Sequence, residues 1–188
     1  MINKQQGLII LTGNQNKVTE FERLLGVELE NIKLDLVEIQ STDVRDVARH
    51  KAEEGYKKLR RPCFVDDTGL TIHCWGELPG ALIKWFLESV GNEGILDMLK
   101  SAPSRSATVT TAIGFCNQNG SQVFVGELDG KIADKSKGEN GFGYDPIFIP
   151  KDSNRTFAEM TNAEKDAISM RAIASKAMKQ SLQINEKT

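Results

Sequence analysis

Cysteine is scarce in this chain: Cys63, Cys74 and Cys116 are the only three in 188 residues, an odd number with neither paired nor metal-ligand spacing. That excludes a disulfide framework or a cysteine-held zinc as the scaffold and fits a reducing compartment, with the thiols in the core. A basic excess is missing as well. With 24 Lys and Arg against 26 Asp and Glu, the formal net charge is −2 and the pI near 5.8, which argues against a nucleic-acid-binding surface. Small anionic substrates stay open, because a few local lysines suffice. The N-terminal part has only the four-residue apolar run Leu8-Ile9-Ile10-Leu11, far short of a signal h-region or a membrane span. A cytoplasmic protein with neither membrane nor nucleic acid as partner is expected. Two phosphate-binding signatures are also absent: there is no Gly-x-x-x-x-Gly-Lys-Ser/Thr, and no Gly-x-Gly-x-x-Gly follows a strand.

What is present suits one α/β domain over residues 1–188, since a 39% hydrophobic content allows a continuous core. No repeat or low-complexity linker interrupts it. Leu8 to Leu11 read as a buried strand, Thr12 to Asn14 as a turn, and a helix opens near Gln15 with Val18, Phe21, Leu24 and Leu25 on its apolar face and Gly26 at its C′ position. Ile32, Leu34 and Leu36 alternate as a strand. Val44, Val47, Ala48, Ala52 and Leu59 mark a longer helix ending before Pro62, and Cys63 to Val65 form a further short strand. Trp85 to Leu87 and Ile95 to Leu99 predict two helical segments, followed by a hairpin from about Ser106 to Gly130 around Asn117-Gln118-Asn119-Gly120. A last helix spans about Ser169 to Gln180. The sheet is therefore mixed.

Four places carry possible chemistry. At the strand-to-helix turn from Thr12 through Gly13, Asn14, Gln15 and Asn16 to Lys17, backbone N–H groups at a helix start attract anions and Lys17 adds a full charge. A purely structural turn has the same appearance. In Phe64-Val65-Asp66-Asp67-Thr68-Gly69-Leu70 two acids follow an apolar strand, the usual ligand position in open α/β sheets. Strand alternation sends Asp66 and Asp67 to opposite sides, so one faces a site, with Glu38 as its expected companion. Such hard oxygen ligands suit Mg²⁺, although Asp-Asp-Thr-Gly also reads as a polar turn. Phe142-Gly143-Tyr144-Asp145 sets an aromatic face beside a hydrogen-bond acceptor. Lys165 and Arg171, near the start of the last helix, can meet a phosphate and a carbonyl oxygen, solvated surface charges being the plainer explanation.

Together these segments resemble the inosine triphosphate pyrophosphatase family, which hydrolyses deaminated purine nucleoside triphosphates to the monophosphate and pyrophosphate. The resemblance rests on Thr12-Gly13-Asn14 with Lys17, Glu38-Ile39-Gln40, Phe64 to Leu70, Leu78-Pro79-Gly80 with Ile83 to Leu87, Phe142 to Pro146, and Thr156-Phe157-Ala158-Glu159 running on to Lys165 and Arg171. It implies a mixed, elongated central sheet flanked by helices, two lobes with the nucleotide cleft between them, and a homodimer. It also implies that Thr12 to Lys17 bind the triphosphate, Glu38 and Asp67 hold Mg²⁺, Asp67 orients or deprotonates water, Lys51 and Lys165 reach the nucleotide, and Thr68 contacts substrate. Phe142 then stacks on the base, while Asp145 and Arg171 read its edge. One departure stands out: where the family has His directly before the arginine, this chain has Met170. Rival readings are a Maf-like pyrophosphatase acting on other modified nucleotides, or a non-catalytic nucleotide binder with an altered base pocket.

Overall fold

The computed structural model describes residues 7–184. Strand β1 (Leu8–Leu11) leads into helix α1 (Gln15–Leu25) through a turn in which the Asn14 side chain caps the helix by accepting from Asn16 N. Gly26 ends it in the left-handed region at φ 70°, where glycine escapes the Cβ clash. Strand β2 (Leu29–Ile32) returns parallel to β1. Helix α2 (Val44–Leu59) is capped by Asp43 and stops at Arg60, ahead of Pro62. Strand β3 (Cys63–Ile72) then runs parallel to β1, and the short β4 (Pro79–Gly80) pairs with it antiparallel. Helices α3 (Ile83–Ser89) and α4 (Gly91–Met98) precede the hairpin of β5 (Ser106–Asn117) and β6 (Gly120–Ile132). Strand β7 (Phe148–Pro150), α5 (Asn162–Ile168) and α6 (Met170–Leu182) complete the described chain.

The strands form one open, mixed sheet in the order β2-β1-β3-β5-β6-β7, with β4 attached to β3. Its two faces bury different cores. Leu8, Ile10, Phe64, Ile113 and Phe115 meet Val18, Phe21 and Leu25 of α1 and Ala174 and Met178 of α6. Ile9, Leu11, Cys63, Val65 and Ala112 meet Val44, Ala48 and Ala52 of α2. Further along the sheet, Leu70, Ile72, Ala107, Val109 and Ile132 pack with Ile83, Ile95, Leu96, Leu99 and Tyr144.

Two sequence expectations are corrected here. The strand expected through Ile32, Leu34 and Leu36 ends at Ile32. Leu34 and Leu36 alternate because they lie half-buried against the α2 core, an extended segment with one wet side and no ladder partner. The strand expected to stop at Val65 continues to Ile72, so Asp66 and Asp67 are not at its end and Asp-Asp-Thr-Gly is not a turn. The reason is β5, which pairs with β3 from Cys63↔Cys116 through Ile72↔Ala107 and supplies a ladder along that whole edge. Parallel β1, by contrast, stops at Leu11. The two acids therefore sit where one strand ends and its neighbour carries on, which opens a crevice beside them.

Helix α6 lies on β6 by way of Gly126, where a Cβ would stand 1.9 Å from Met170 O. Backbone cannot yield there as a flexible side chain would. Gly126→Ala is expected to cost about 1–3 kcal/mol of overpacking, read as a lowered urea midpoint with an unchanged m-value. A midpoint equal to that of the parent would contradict this packing.

Candidate active site

A cleft of about 520 Å³ opens at the end of β1. From one side it is bordered by Thr12, Gly13, Asn14 and Lys17 of the β1–α1 turn, by Glu38, by Lys51 of α2, and by Asp67 and Thr68 of β3. From the other come Phe142, Gly143, Tyr144 and Asp145, Lys165 of α5, and Met170 and Arg171 of α6. Residues far apart in the chain thus meet in one space. Gln15 and Asn16 do not border it; both are exposed on the first turn of α1. The turn also uses some of its own amides, since Thr12 Oγ1 accepts from Asn14 N at 3.1 Å and Asn14 Oδ1 from Asn16 N at 3.0 Å.

Adjacent Asp66 and Asp67 do face opposite sides of the sheet. Asp66 points toward α1 and α6, where Lys17 Nζ lies 2.6 Å from its Oδ1 and Arg171 Nε donates to its Oδ2 at 3.0 Å. Arg171, 1% exposed, also donates through NH1 to Glu20 Oε2 at 2.8 Å. Burial by itself would raise the Asp66 carboxyl, but the Arg171 and Lys17 cations override it and bring it down to about 2. This buried group of two acids and two cations ties α1, β3 and α6 together. Sequence reasoning missed Glu20, and its signal was an acid between Val18 and Phe21 on the otherwise apolar face of α1.

Asp67 faces α2, and Lys51 Nζ bridges it to Glu38, 2.9 Å from Asp67 Oδ1 and 3.4 Å from Glu38 Oε1. Here burial wins: it lifts the Asp67 carboxyl above the usual carboxylate range in spite of Lys51. For Lys51 burial works against the charge, but Asp67 and Glu38 outweigh it and raise the ammonium. Asp67 Oδ2 is buried with no hydrogen-bond partner among the described residues. A buried acceptor left open beside a cleft is what a cation or water of a bound ligand would satisfy.

The opposite wall is built around a tight turn. Gly141 and Gly143 have φ of 74° and 65°, and between them Phe142 N donates to Asp145 Oδ2 at 2.8 Å. Lys165 Nζ donates to the same oxygen at 2.7 Å and stands 5.2 Å from the centroid of the half-buried Phe142 ring. The Arg171 guanidinium carbon is 5.7 Å from that ring. Met170, 2% exposed, borders the cleft and packs into the third core. The cleft is also bordered by Ala81, Ile83, Lys84, Leu87 and Glu88, to which sequence reasoning gave no role.

Cations thus collect near a pair of carboxylates at one end, and an aromatic face with polar groups at its edge stands at the other. That pairing fits a ligand with a polyanionic part and a planar part. Among known proteins, the chain is 39% identical over 171 residues to the dITP/XTP pyrophosphatase of Methanopyrus kandleri, covering 89% of this chain and 91% of that protein. It is 39% identical over 174 residues to inosine triphosphate pyrophosphatase 2 of Trypanosoma cruzi, covering 90% of this chain and 89% of the other. The solved structure of the Staphylococcus aureus Ham1 protein superposes with a TM-score of 0.83 at 27% identity, over 95% of this chain and 98% of that one. Residues 8–181, from the first strand to the last helix, match the model of the Ham1 family, and the chain belongs to that family.

Proposed function

We propose that the protein hydrolyses deaminated purine nucleoside triphosphates, ITP, dITP and XTP, to the monophosphate and pyrophosphate. The observation that carries this reading is the cleft itself, which sets Lys17, Lys51, Glu38 and Asp67 opposite Phe142, Asp145, Lys165 and Arg171. Relatives named dITP/XTP pyrophosphatase and inosine triphosphate pyrophosphatase support it.

In this reading Thr12, Gly13, Asn14 and Lys17 take the triphosphate. Glu38 and Asp67 fit a divalent ion, Mg²⁺ by preference: they already share one cation through Lys51, Asp67 Oδ2 has no partner, and two carboxylates with substrate phosphates make up the usual Mg²⁺ environment. When bound, the ion supplies charge neutralisation on the phosphates. Asp67, its basicity raised by burial, orients and deprotonates the water that attacks the α-phosphorus. Lys17 and Lys51 stabilise charge on the departing pyrophosphate. No covalent intermediate is needed.

Phe142 stacks on the base, and Asp145 and Arg171 address its edge with Thr68 and Lys165 on the nucleotide. Arg171 uses three N–H contacts on Asp66 and Glu20, and a guanidinium has further N–H groups for a 6-oxo oxygen. Adenine presents an amino group there and leaves those donors unpaired, a mismatch worth up to about 10⁴ in discrimination. The thioether of Met170 cannot donate a hydrogen bond. Met170→His is therefore expected to strengthen selection of ITP over ATP by about 1–3 kcal/mol, read as a ratio of kcat/KM. Equal ratios in the two proteins would remove Met170 from base recognition.

The first test is pyrophosphate release with Mg²⁺ from ITP, XTP, dITP, GTP, ATP and dUTP in parallel. Preference for ITP and XTP supports the proposal, turnover centred on another base replaces the substrate class, and tight ITP binding without turnover turns the protein into a binder. The chain is also proposed to work as one domain and to pair as a homodimer, for which sedimentation equilibrium should return twice its 20.8 kDa mass.

A further inference from the structure

The turn that carries Phe142 is held from outside as well as from within. Asn92, in the first turn of α4, donates through Nδ2 to Gly143 O at 3.0 Å. A carbonyl oxygen only accepts, so the amide nitrogen of Asn92 has to face it. One residue on, Glu93 Oε1 accepts from Ser136 Oγ at 2.7 Å, which fastens the chain ahead of the turn to the same end of α4. Position 143 also lies against α3, since a Cβ there would stand 3.6 Å from Leu87 Cδ1. On its inner side the turn is tied through Asp145, whose side chain accepts from Lys165 Nζ and whose backbone oxygen accepts from Ala158 N; the ties to α4 matter because they are the ones that reach the outer wall. Phe142 N to Asp145 Oδ2 and Asp145 N to Phe142 O set its shape, with Gly143 in a left-handed conformation. Neither bond fixes where the Phe142 ring stands relative to the outer wall of the cleft. Asn92 supplies that link, one residue past the ring.

We propose that Asn92 is a positioning residue for base recognition: by holding Gly143 O it fixes the Phe142 ring over the cleft. The inference rests on the proposed nucleotide reading of the site. Asn92 touches no substrate and acts through Phe142, so its removal weakens binding of the base and leaves the phosphate end and the hydrolytic step alone.

The test compares the wild type with Asn92→Ala and Asn92→Asp, the latter keeping the shape and losing the donor. Affinity for ITP and for tripolyphosphate, which lacks a base, is measured by calorimetry, alongside KM and kcat for ITP. Both variants are expected to bind ITP about tenfold more weakly, the size of one lost hydrogen bond, with KM raised in step. Tripolyphosphate affinity and kcat should stay within about twofold, below the error of assigning a single bond. The proposal is overturned if Asn92→Asp behaves as wild type, since packing alone would then suffice. It is equally overturned if ITP affinity does not fall, or if tripolyphosphate affinity falls as far as that of ITP. Wild-type protein that binds ITP without turnover would end the pyrophosphatase reading and leave the Asn92 test standing on affinities. Failure of the wild type to bind ITP would end both.

Discussion

Asp67→Asn is expected to lower kcat for ITP by about a thousandfold or more, the several kcal/mol of transition-state stabilisation that the two roles proposed for Asp67, metal ligand and base, would supply. Asparagine keeps the size of the side chain and one acceptor oxygen, so the cleft remains. Stability should barely change, by under about 1 kcal/mol, since burial already holds this carboxyl above its ordinary range and the fold gives up little when the charge goes. Lys51 keeps Glu38 as a partner at 3.4 Å. Steady-state kinetics and urea unfolding on the same preparation check both halves. An Asp67→Asn protein with near-normal turnover would take the assignment away from Asp67.

Arg171→Met reverses that pattern and is expected to cost about 3–5 kcal/mol of stability, because it strands Glu20 as a buried charge and removes one of the two cations on Asp66. Lys17 remains for Asp66, but Glu20 keeps no cation that is shown bonded to it. Adding Glu20→Gln should recover part of the loss in urea unfolding at pH 7. A single-variant loss under about 1 kcal/mol, or no recovery in the double variant, would sink the charge argument. The same group sets an acid limit. The folded carboxyl of Asp66, near 2, lies below its ordinary 3.8. Its contribution is therefore complete above about pH 4 and is lost as the pH falls toward 2. The wild type should lose stability across that window, and Arg171→Met, with less of this contribution to lose, should show a flatter profile.

Much of this was legible in the sequence because local signals and burial agreed. Asn14, Asp43 and Ser169 cap helices at the positions their side chains favour, Gly26 closes one, and Asn117 to Gly120 turns the long hairpin. The reading failed where neighbours far along the chain decide. Asp66 and Asp67 look like a turn because two adjacent acids seldom sit inside a strand, and only β5 on the flank and cations on each face make that possible. Leu34 and Leu36 alternate for burial without a ladder. At the site, alternation alone separated the two acids, but which one faced the cleft depended on where Lys17, Lys51 and Arg171 end up in space. Glu20 and Asn92 carry no motif and show themselves only through partners more than forty residues away.

The unbroken pairing of β3 with β5 has a mechanical side. Like its partner β5, strand β3 contributes side chains to all three cores, Phe64 to one, Cys63 and Val65 to the second, Leu70 and Ile72 to the third. It acts as a beam at the floor of the cleft, held by β1 near one end, by β4 near the other and by β5 along one whole edge. Asp66 and Asp67, in the middle of that beam, are thereby the fixed points against which the ladder-free stretch that bears Glu38 and the Asn92-held turn that bears Phe142 are set.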